Sequence, residues 1–192
     1  VGSGEILCVY GGNGTGKTTL AKMLCGLLGP TGGKIFVEGI NLEQIAPKWW
    51  FNKTIYLPQE PDFINDTFRN NFLIYNPDLG ANDIHELLGH VDLLSLVDEN
   101  PEGLDQKIKN NGKRLSLGVR RRLALARALC HGGVLAILDE PTEGMDPKGA
   151  STVYNVMNQL AEKKCTMVVF SHDKNIVRGA HHFLDLGQGK RL

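Results

Sequence analysis

The chain has 192 residues, 42% of them hydrophobic, and its 21 basic side chains balance its 21 acidic ones. This length predicts a single α/β domain with a proper hydrophobic core, so neither disulfides nor a structural metal are needed. The balanced charge argues against a nucleic-acid partner. No apolar stretch approaches the roughly 20 residues that a membrane-spanning helix needs. The chain is therefore expected to reach a membrane only through a partner or through a further segment.

The four cysteines are widely spaced and form no CxxC pair. Cys8, Cys25 and Cys130 lie inside apolar runs, whereas Cys165 does not. This pattern predicts reduced, packed thiols in a cytosolic protein.

Short apolar runs alternate with helical patterns along most of the chain. In chain order, the pattern predicts a strand at 5–10, a helix at 17–28, strands at 34–37 and 54–57, a helix at 117–130, a strand at 134–138, a helix at 147–163, and strands at 166–170 and 183–186. Between these, from about 66 to 101, the apolar spacing is helical, as at Ile84, Leu88 and Val91. The alternation predicts an α/β fold whose mainly parallel sheet is covered by helices, with a helical insertion.

The strongest local signal is the segment GGNGTGKT at 11–18, which fits G-x-x-x-x-G-K-[ST] between a predicted strand and a predicted helix. Backbone N–H groups at the glycines can cradle phosphates, and the helix start adds the positive end of its dipole. The residues predicted to bind nucleotide here are Gly11, Gly12, Asn13, Gly14, Thr15, Gly16, Lys17, Thr18 and Thr19. We expect Lys17 to reach the β- and γ-phosphates and the Thr18 hydroxyl to ligate Mg²⁺. The alternative, a glycine-rich turn with a solvated lysine, is disfavoured by the flanking strand and helix.

An acidic pair, Asp139 and Glu140, follows the continuously apolar run 134–138. A strand buried on both faces needs such a run, and ligands in parallel sheets bind beyond the carboxyl ends of the strands. We expect Asp139 to enter the Mg²⁺ shell through water and Glu140 to act as general base on an attacking water. Alone, such a pair would be a solvated turn; the phosphate loop favours the functional interpretation.

The segment LSLGVRRRLALARAL at 115–129 opens with Ser116, a good helix N-cap, and continues as a strong helix former. Together with the phosphate loop and the acidic pair, it resembles the ATP-binding domain of ABC transporters, whose signature LSGGQ precedes a basic, alanine-rich helix. The resemblance implies a P-loop NTPase core at 1–65 and 131–192 and a helical signature subdomain at 66–130, within one domain at 1–192. It also implies that Ser116 and Gly118 contact the ATP held by a second, head-to-tail copy.

The same resemblance assigns three further site residues. Gln59 is similar to the Q-loop glutamine, which contacts Mg²⁺ and the attacking water. Asp146 is similar to the D-loop aspartate, which crosses the dimer interface, and His172 to the switch histidine near the γ-phosphate. Expected catalytic residues are therefore Glu140, His172 and Gln59, with Mg²⁺ held by Thr18, Gln59 and Asp139.

The segments 57–72 and 104–112 resemble those of ABC exporters, with secretion and peptide or toxin exporters as the nearest group. The implied function is ATP hydrolysis and ATP-driven dimerisation that power translocation, on the cytoplasmic side of a membrane, with a fused or separate transmembrane domain as partner. The first strands and the adenine-stacking aromatic of the family are expected to be missing. In the signature, Leu117 and Val119 replace Gly and Gln.

Three alternatives stay open within the family. The first is a soluble ABC ATPase of translation or DNA repair, which usually carries tandem cassettes or coiled coils. The second is a binding-only cassette that has lost hydrolysis, and the third is an importer cassette.

Basic Lys107 and Lys109, with Asn110, stand where exporters have an acidic segment, which predicts an acidic loop on the membrane partner.

Overall fold

The computed structural model describes residues 1–187 and 190–191, and its contacts divide the chain into two compact units. The first unit comprises Val1–Gln59, Gly132–Pro141 and Leu160–Leu192, and the second comprises Glu60–His131 and Thr142–Gln159. The first unit carries the strands and the second is helical.

A six-stranded sheet forms the centre of the first unit, as far as the chain is described. Its strands are β1 (Ile6–Tyr10), β4 (Thr54–Leu57), β5 (Leu135–Asp139), β6 (Thr166–Phe170), β7 (His182–Asp185) and β8 (Lys190–Arg191). The strand order is β4-β5-β6-β1-β7-β8, and every neighbouring pair is parallel except β7–β8. The predicted mainly parallel sheet is therefore confirmed. Its core packs Val9, Ala21, Ile137, Val168 and Phe170.

Among the described residues, three α-helices lie wholly within the first unit: α1 (Lys17–Leu24), α2 (Pro47–Lys53) and α8 (Lys174–Gly179). The sequence predicted α1 to continue to 28, which is wrong. The helix ends at Leu24 because Gly26 adopts a left-handed backbone at φ 73°. The amide of Gly26 then bonds Met23 O and that of Leu27 bonds Lys22 O, closing the last turn.

The strand predicted at 34–37 is shorter and lies outside the main sheet. It is β2 (Phe36–Val37), which pairs antiparallel with β3 (Ile40–Asn41) in a separate two-stranded sheet. Between them, Glu38 and Gly39 both have positive φ, 49° and 79°, which is the backbone of a two-residue hairpin turn.

The second unit contains α3 (Phe68–Leu73), α4 (Ala81–His90), α5 (Ser95–Asp98) and α6 (Leu117–Ala128), which confirms the predicted helical stretch. The helix α7 (Pro147–Glu162) begins here, and the chain returns to the first unit at Leu160 within it. Fully buried Phe72, Ile84 and Leu88 fill this unit's interior. The guanidinium of Arg127 lies 4.6 Å from the ring centres of both Phe63 and Tyr75.

Other boundaries differ from the predictions by one or two residues. The helix predicted at 117–130 ends at Ala128 and continues as a 3-10 turn, and the helix predicted at 147–163 ends at Glu162. The strand predicted at 183–186 is β7, at His182–Asp185, whereas β6 has the predicted bounds.

Candidate active site

The loop between β1 and α1 presents an open helix start. Gly14 and Gly16 have φ of 79° and 94°, a left-handed backbone that costs other residues about 1–2 kcal/mol. Gly16 is the N-cap of α1 and offers no side chain to the first amides, and the first turn contains no acidic residue. The Thr15 hydroxyl bonds Gly12 O at 2.9 Å and stiffens the loop. The free amides of such a helix start bind an anion.

Two predicted site residues contact one carbonyl of this loop, and a third lies beside both of them. Lys17 Nζ donates to Gly11 O at 2.7 Å, and His172 Nε2 lies 2.9 Å from the same oxygen. Because a carbonyl only accepts, this His172 contact requires the proton on Nε2. Glu140 Oε1 lies 3.7 Å from Lys17 Nζ and 3.9 Å from His172 Nε2. The Glu140 carboxylate, the His172 imidazole and the Lys17 ammonium group therefore lie together at the carboxyl end of β1.

Glu140 holds this place through an unusual backbone. Its φ is 48°, in the left-handed region that glycine favours, and its amide donates to Phe170 O at 2.8 Å. Such a conformation costs about 1–2 kcal/mol and persists only where the surroundings impose it. The side chain is only 11% exposed. Strain and burial together fix a carboxylate beside the phosphate loop.

Asp139 and Thr18 form the second half of the constellation. The Thr18 hydroxyl donates to Asp139 Oδ2 at 2.7 Å, and Asp139 is fully buried at the end of β5. A hydroxyl and a carboxylate are hard oxygen ligands of the type that Mg²⁺ prefers. Among the described residues, no cluster of three His, Cys, Asp or Glu side chains could hold a metal. Magnesium fits nonetheless, because it usually takes one or two protein ligands and completes its shell with water and phosphate oxygens.

Gln59 lies two residues after β4, the strand that pairs with β5. The last residue of β4, Leu57, lies opposite Leu138 of β5. Gln59 is the last residue of the segment Val1–Gln59, the first of three segments that make up the first compact unit. The parallel pairing places it after the carboxyl end of β4, just as Asp139 ends β5.

The remaining predicted residues lie in the second unit. The Ser116 hydroxyl caps α6 by accepting from the Val119 amide at 3.3 Å. Gly118 lies in the first turn of this helix, and Asp146 Oδ1 accepts from the Gly149 amide at 3.1 Å, where α7 starts. The structure thus gathers Lys17, Thr18, Asp139, Glu140 and His172 around one loop, while Ser116, Gly118 and Asp146 form a separate group in the other unit.

Two charged residues of the second group were missed by the sequence reasoning. Arg121 of α6 is 2% exposed and pairs with Glu143, Nη2 to Oε2 at 3.0 Å. A signal was available: successive helical residues point about 100° apart, so three arginines in a row at 120–122 cannot all face solvent on a helix that packs.

Two thiols near the site are held in the protonated form. Burial raises the pKa of Cys8 to about 11, with a smaller contribution from the Glu140 carboxylate. Burial also raises the pKa of Cys25, and Asp139 adds to the shift. Cys8, Cys25, Cys130 and Cys165 are all free thiols.

Known proteins that are similar to this chain identify its family. Residues 1–143 match the family model described as ABC transporter. The chain is 35% identical over 156 residues to the glutathione/L-cysteine transport system ATP-binding/permease protein CydC of Bacillus subtilis, covering 81% of this chain and 28% of that protein. It is 30% identical over 187 residues to the ATP-dependent lipid A-core flippase of Chromobacterium violaceum, covering 97% of this chain and 32% of the flippase. The chain therefore spans about a third of these relatives.

A solved structure of a bacterial Atm1-family ABC exporter with ATP bound superposes with a TM-score of 0.89, at 22% identity, over 98% of this chain and 33% of that one. This likeness confirms the P-loop α/β fold. Because the family model covers most of the chain, including the phosphate loop and the acidic pair, the chain belongs to the ABC transporter family, whose members bind ATP.

Proposed function

We propose that this chain is the ATP-binding and ATP-hydrolysing domain of an exporter, acting as a pair of copies with ATP at their interface. The observation that carries the proposal is that Lys17 and His172 both contact Gly11 O and that Glu140 lies beside both of them, with the Thr18–Asp139 pair as the second half of the site. Phosphoryl transfer to water uses a lysine on the phosphates, oxygen ligands for the metal and a residue that orients or deprotonates the water, and this site contains groups of each kind.

Each residue has a role that its geometry permits. The amides that follow Gly16 bind the β- and γ-phosphates, and Lys17 leaves Gly11 O to bind their oxygens. Glu140 takes the proton of the attacking water, and His172 donates from Nε2 to the γ-phosphate that replaces Gly11 O as its acceptor. Gln59 orients the water from the end of β4.

Mg²⁺, held by Thr18 and by Asp139 through water, with Gln59 contributing, would neutralise charge on the β- and γ-phosphates. Asp139 is suited to this place because it is fully buried and hydrogen-bonded to Thr18, so its carboxylate is already aimed.

The second copy supplies what one chain lacks. The start of α6, which is capped by Ser116 and contains Gly118, lies in the other compact unit from the phosphate loop, and helix starts of this kind can bind an anion. We assign it to the γ-phosphate of the ATP bound by the partner, with Asp146 at the interface between the copies. Two complete sites then form only in a head-to-tail dimer.

The membrane partner is supported by exposed apolar side chains in the first unit. Leu27, Leu28, Trp49 and Phe51 are 44–61% exposed, and the first two and Phe51 line one cavity of about 400 Å³. Exposed apolar clusters of this kind mark interaction surfaces. Among the described residues, no helix is long and apolar enough to cross a bilayer. On the basis of its exposed apolar side chains, we assign this surface to a transmembrane domain, fused or separate, and place the chain on the cytoplasmic side in this proposal.

A second surface lies on the other unit. Lys107, Lys109 and Arg114 line an open cleft of about 1110 Å³. These three cations outnumber the two acidic residues that also line the cleft, Glu102 and Asp105, so the surface suits an acidic loop of the same membrane partner. The balanced net charge of the chain gives no support to a nucleic-acid partner.

The test is the mass in solution of the Glu140→Gln variant, measured by light scattering on a sizing column. This variant keeps the site but removes the base, so MgATP is expected to shift it from monomer to dimer. The matched control is Glu140→Gln combined with Lys17→Ala, which is expected to stay monomeric. A Glu140→Gln protein that binds MgATP and stays monomeric would contradict the shared-site proposal. Rapid phosphate release by Glu140→Gln would contradict the role of Glu140.

A further inference from the structure

The segment before Asp146 is attached to the start of α6 by a buried arginine. Arg121 donates from Nη1 to the backbone carbonyl of Glu143 and from Nη2 to its Oε2 at 3.0 Å. The Arg121 side chain is 2% exposed and that of Glu143 is 54% exposed. A buried guanidinium needs such partners, and its planar fork fixes the direction of both.

A second contact joins the same two segments. Gly144 has φ 68°, and a Cβ built on it would lie 3.0 Å from Leu117 Cδ2. A Cβ built on Gly118 would lie 3.8 Å from Met145 Cγ. Leu117, the bulky residue in the altered signature, therefore packs against the segment 143–145, and it does so because position 144 has no side chain.

The far side of this arrangement is also tied down. Arg122 Nη1 donates to the Asp92 carbonyl at 2.9 Å, and Lys148 Nζ lies 2.7 Å from Asp92 Oδ2. The hydrogen bond from Lys148 lowers the pKa of Asp92, so its carboxylate stays charged. In the sequence, Asp146 thus lies between Glu143 and Lys148, both of which are linked to α6. Glu143 bonds Arg121 directly, and Lys148 pairs with Asp92, whose carbonyl bonds Arg122.

We infer that Arg121, Glu143, Leu117 and Gly144 form a latch that positions Asp146 relative to Ser116, so that both partner-facing groups approach the second copy as one rigid element. The inference rests on the proposed function for the roles of Ser116 and Asp146. Its four members are positioning residues, because they act through Ser116 and Asp146 and bind no nucleotide themselves. The latch also explains Leu117, whose side chain packs on Gly144.

The latch has a local readout that needs no dimer. The Met145 amide donates to Thr142 O at 3.2 Å within the latched segment, so its exchange with solvent deuterium reports opening of that segment. Glu143→Gln and Arg121→Lys remove the charge pair or the fork geometry. Gly144→Ala places a methyl against Leu117. In Glu143→Gln and Arg121→Lys we expect Met145 to exchange about tenfold faster, as the loss of a charged hydrogen bond implies. In Gly144→Ala we expect faster exchange because the added methyl pushes the segment away from Leu117.

The matched control is Arg69→Gln in the same unit. It removes the exposed ion pair between Arg69 Nε and Asp105 Oδ1, whose length of 2.9 Å is similar to that of the Arg121–Glu143 pair. We expect this control to leave Met145 exchange unchanged. In the Glu140→Gln background, the latch variants should raise the dimer dissociation constant in MgATP about tenfold. Their ATP affinity at concentrations that keep the chain monomeric should stay within twofold. Glu143→Asp should restore part of the dimerisation that Glu143→Gln loses.

The outcomes separate the latch from the proposed function. Unchanged Met145 exchange in Glu143→Gln and Arg121→Lys overturns the latch, whatever the dimer does. Faster exchange with unchanged dimerisation overturns its positioning role and leaves a purely structural pair. If the Glu140→Gln parent itself fails to dimerise, the proposed function fails, while Met145 exchange still tests the attachment of the segment.

Discussion

Thr18→Val replaces one hydroxyl by a methyl group of the same shape at the centre of the candidate site. The hydroxyl donates to Asp139 Oδ2 at 2.7 Å, and Asp139 is fully buried. A hydrogen bond to a charged acceptor contributes about 1.5–3 kcal/mol, and removing the donor leaves the carboxylate oxygen facing a methyl group. We expect the free energy of unfolding of the nucleotide-free protein to fall by about 2 kcal/mol.

That loss converts to a melting temperature lower by about 4–8 °C, at about 2–4 °C per kcal/mol for a chain of this size. Thermal unfolding followed by circular dichroism measures it directly. Thr18→Ser is the control, because it keeps the donor and is expected to melt close to the parent.

The same pair of variants tests the magnesium assignment. A ligand that binds only the folded state raises the melting temperature, by an amount that grows with the logarithm of the ligand concentration divided by its dissociation constant. The extra rise that MgATP gives over ATP with EDTA should disappear in Thr18→Val and persist in Thr18→Ser. A Thr18→Val protein that melts like the parent refutes the stability estimate, and one that keeps the magnesium-dependent rise refutes the ligand role of Thr18.

Two further predictions concern groups of the same unit. Lys17→Ala should abolish ATP binding, measured by calorimetry, because the phosphates lose the cation now bonded to Gly11 O; retained binding would contradict its role. Cys8 and Cys165 have pKa values raised by burial from 9.0 to about 11, so the folded chain keeps protons that the unfolded chain releases. Their contribution to stability is therefore complete below pH 9 and falls as the pH rises towards 11. Urea unfolding at several pH values will show this as a decrease of the free energy of unfolding with pH. The decrease should be smaller in the double variant that carries Cys8→Ala and Cys165→Ala.

Most strands of the main sheet could be predicted from the sequence because they are mainly apolar runs, whereas the two-residue β8 was not predicted. The run at 166–170 became β6 without change, and that at 134–138 shifted by one residue. Short elements could not be predicted in this way. The seven-residue helix α2 buries Trp50 and exposes Trp49, and so short a segment shows no clear period.

The candidate site was predictable in its residue types but not in its convergence. The phosphate loop and the acidic pair follow from local motifs, whereas the meeting of Glu140, His172 and Gly11 depends on strand order. These residues come after β5, β6 and β1, which are neighbours in the sheet, so their carboxyl ends share one edge. No local pattern states that order. The Arg121–Glu143 pair was missed for a similar reason, since it joins positions 22 residues apart.

The charges of the site suggest how ATP binding and hydrolysis are linked in the proposed cycle. Without nucleotide, Lys17 Nζ lies 3.7 Å from Glu140 Oε1, so the cation and the carboxylate partly neutralise each other while both are about 90% shielded from solvent. Phosphate oxygens carry more charge than one carboxylate and compete for Lys17. Once Lys17 turns to them, Glu140 keeps its strained backbone directly after β5 but no longer faces the cation that neutralised it. In the proposed cycle, the carboxylate is therefore released to act on the attacking water only when the substrate is already bound.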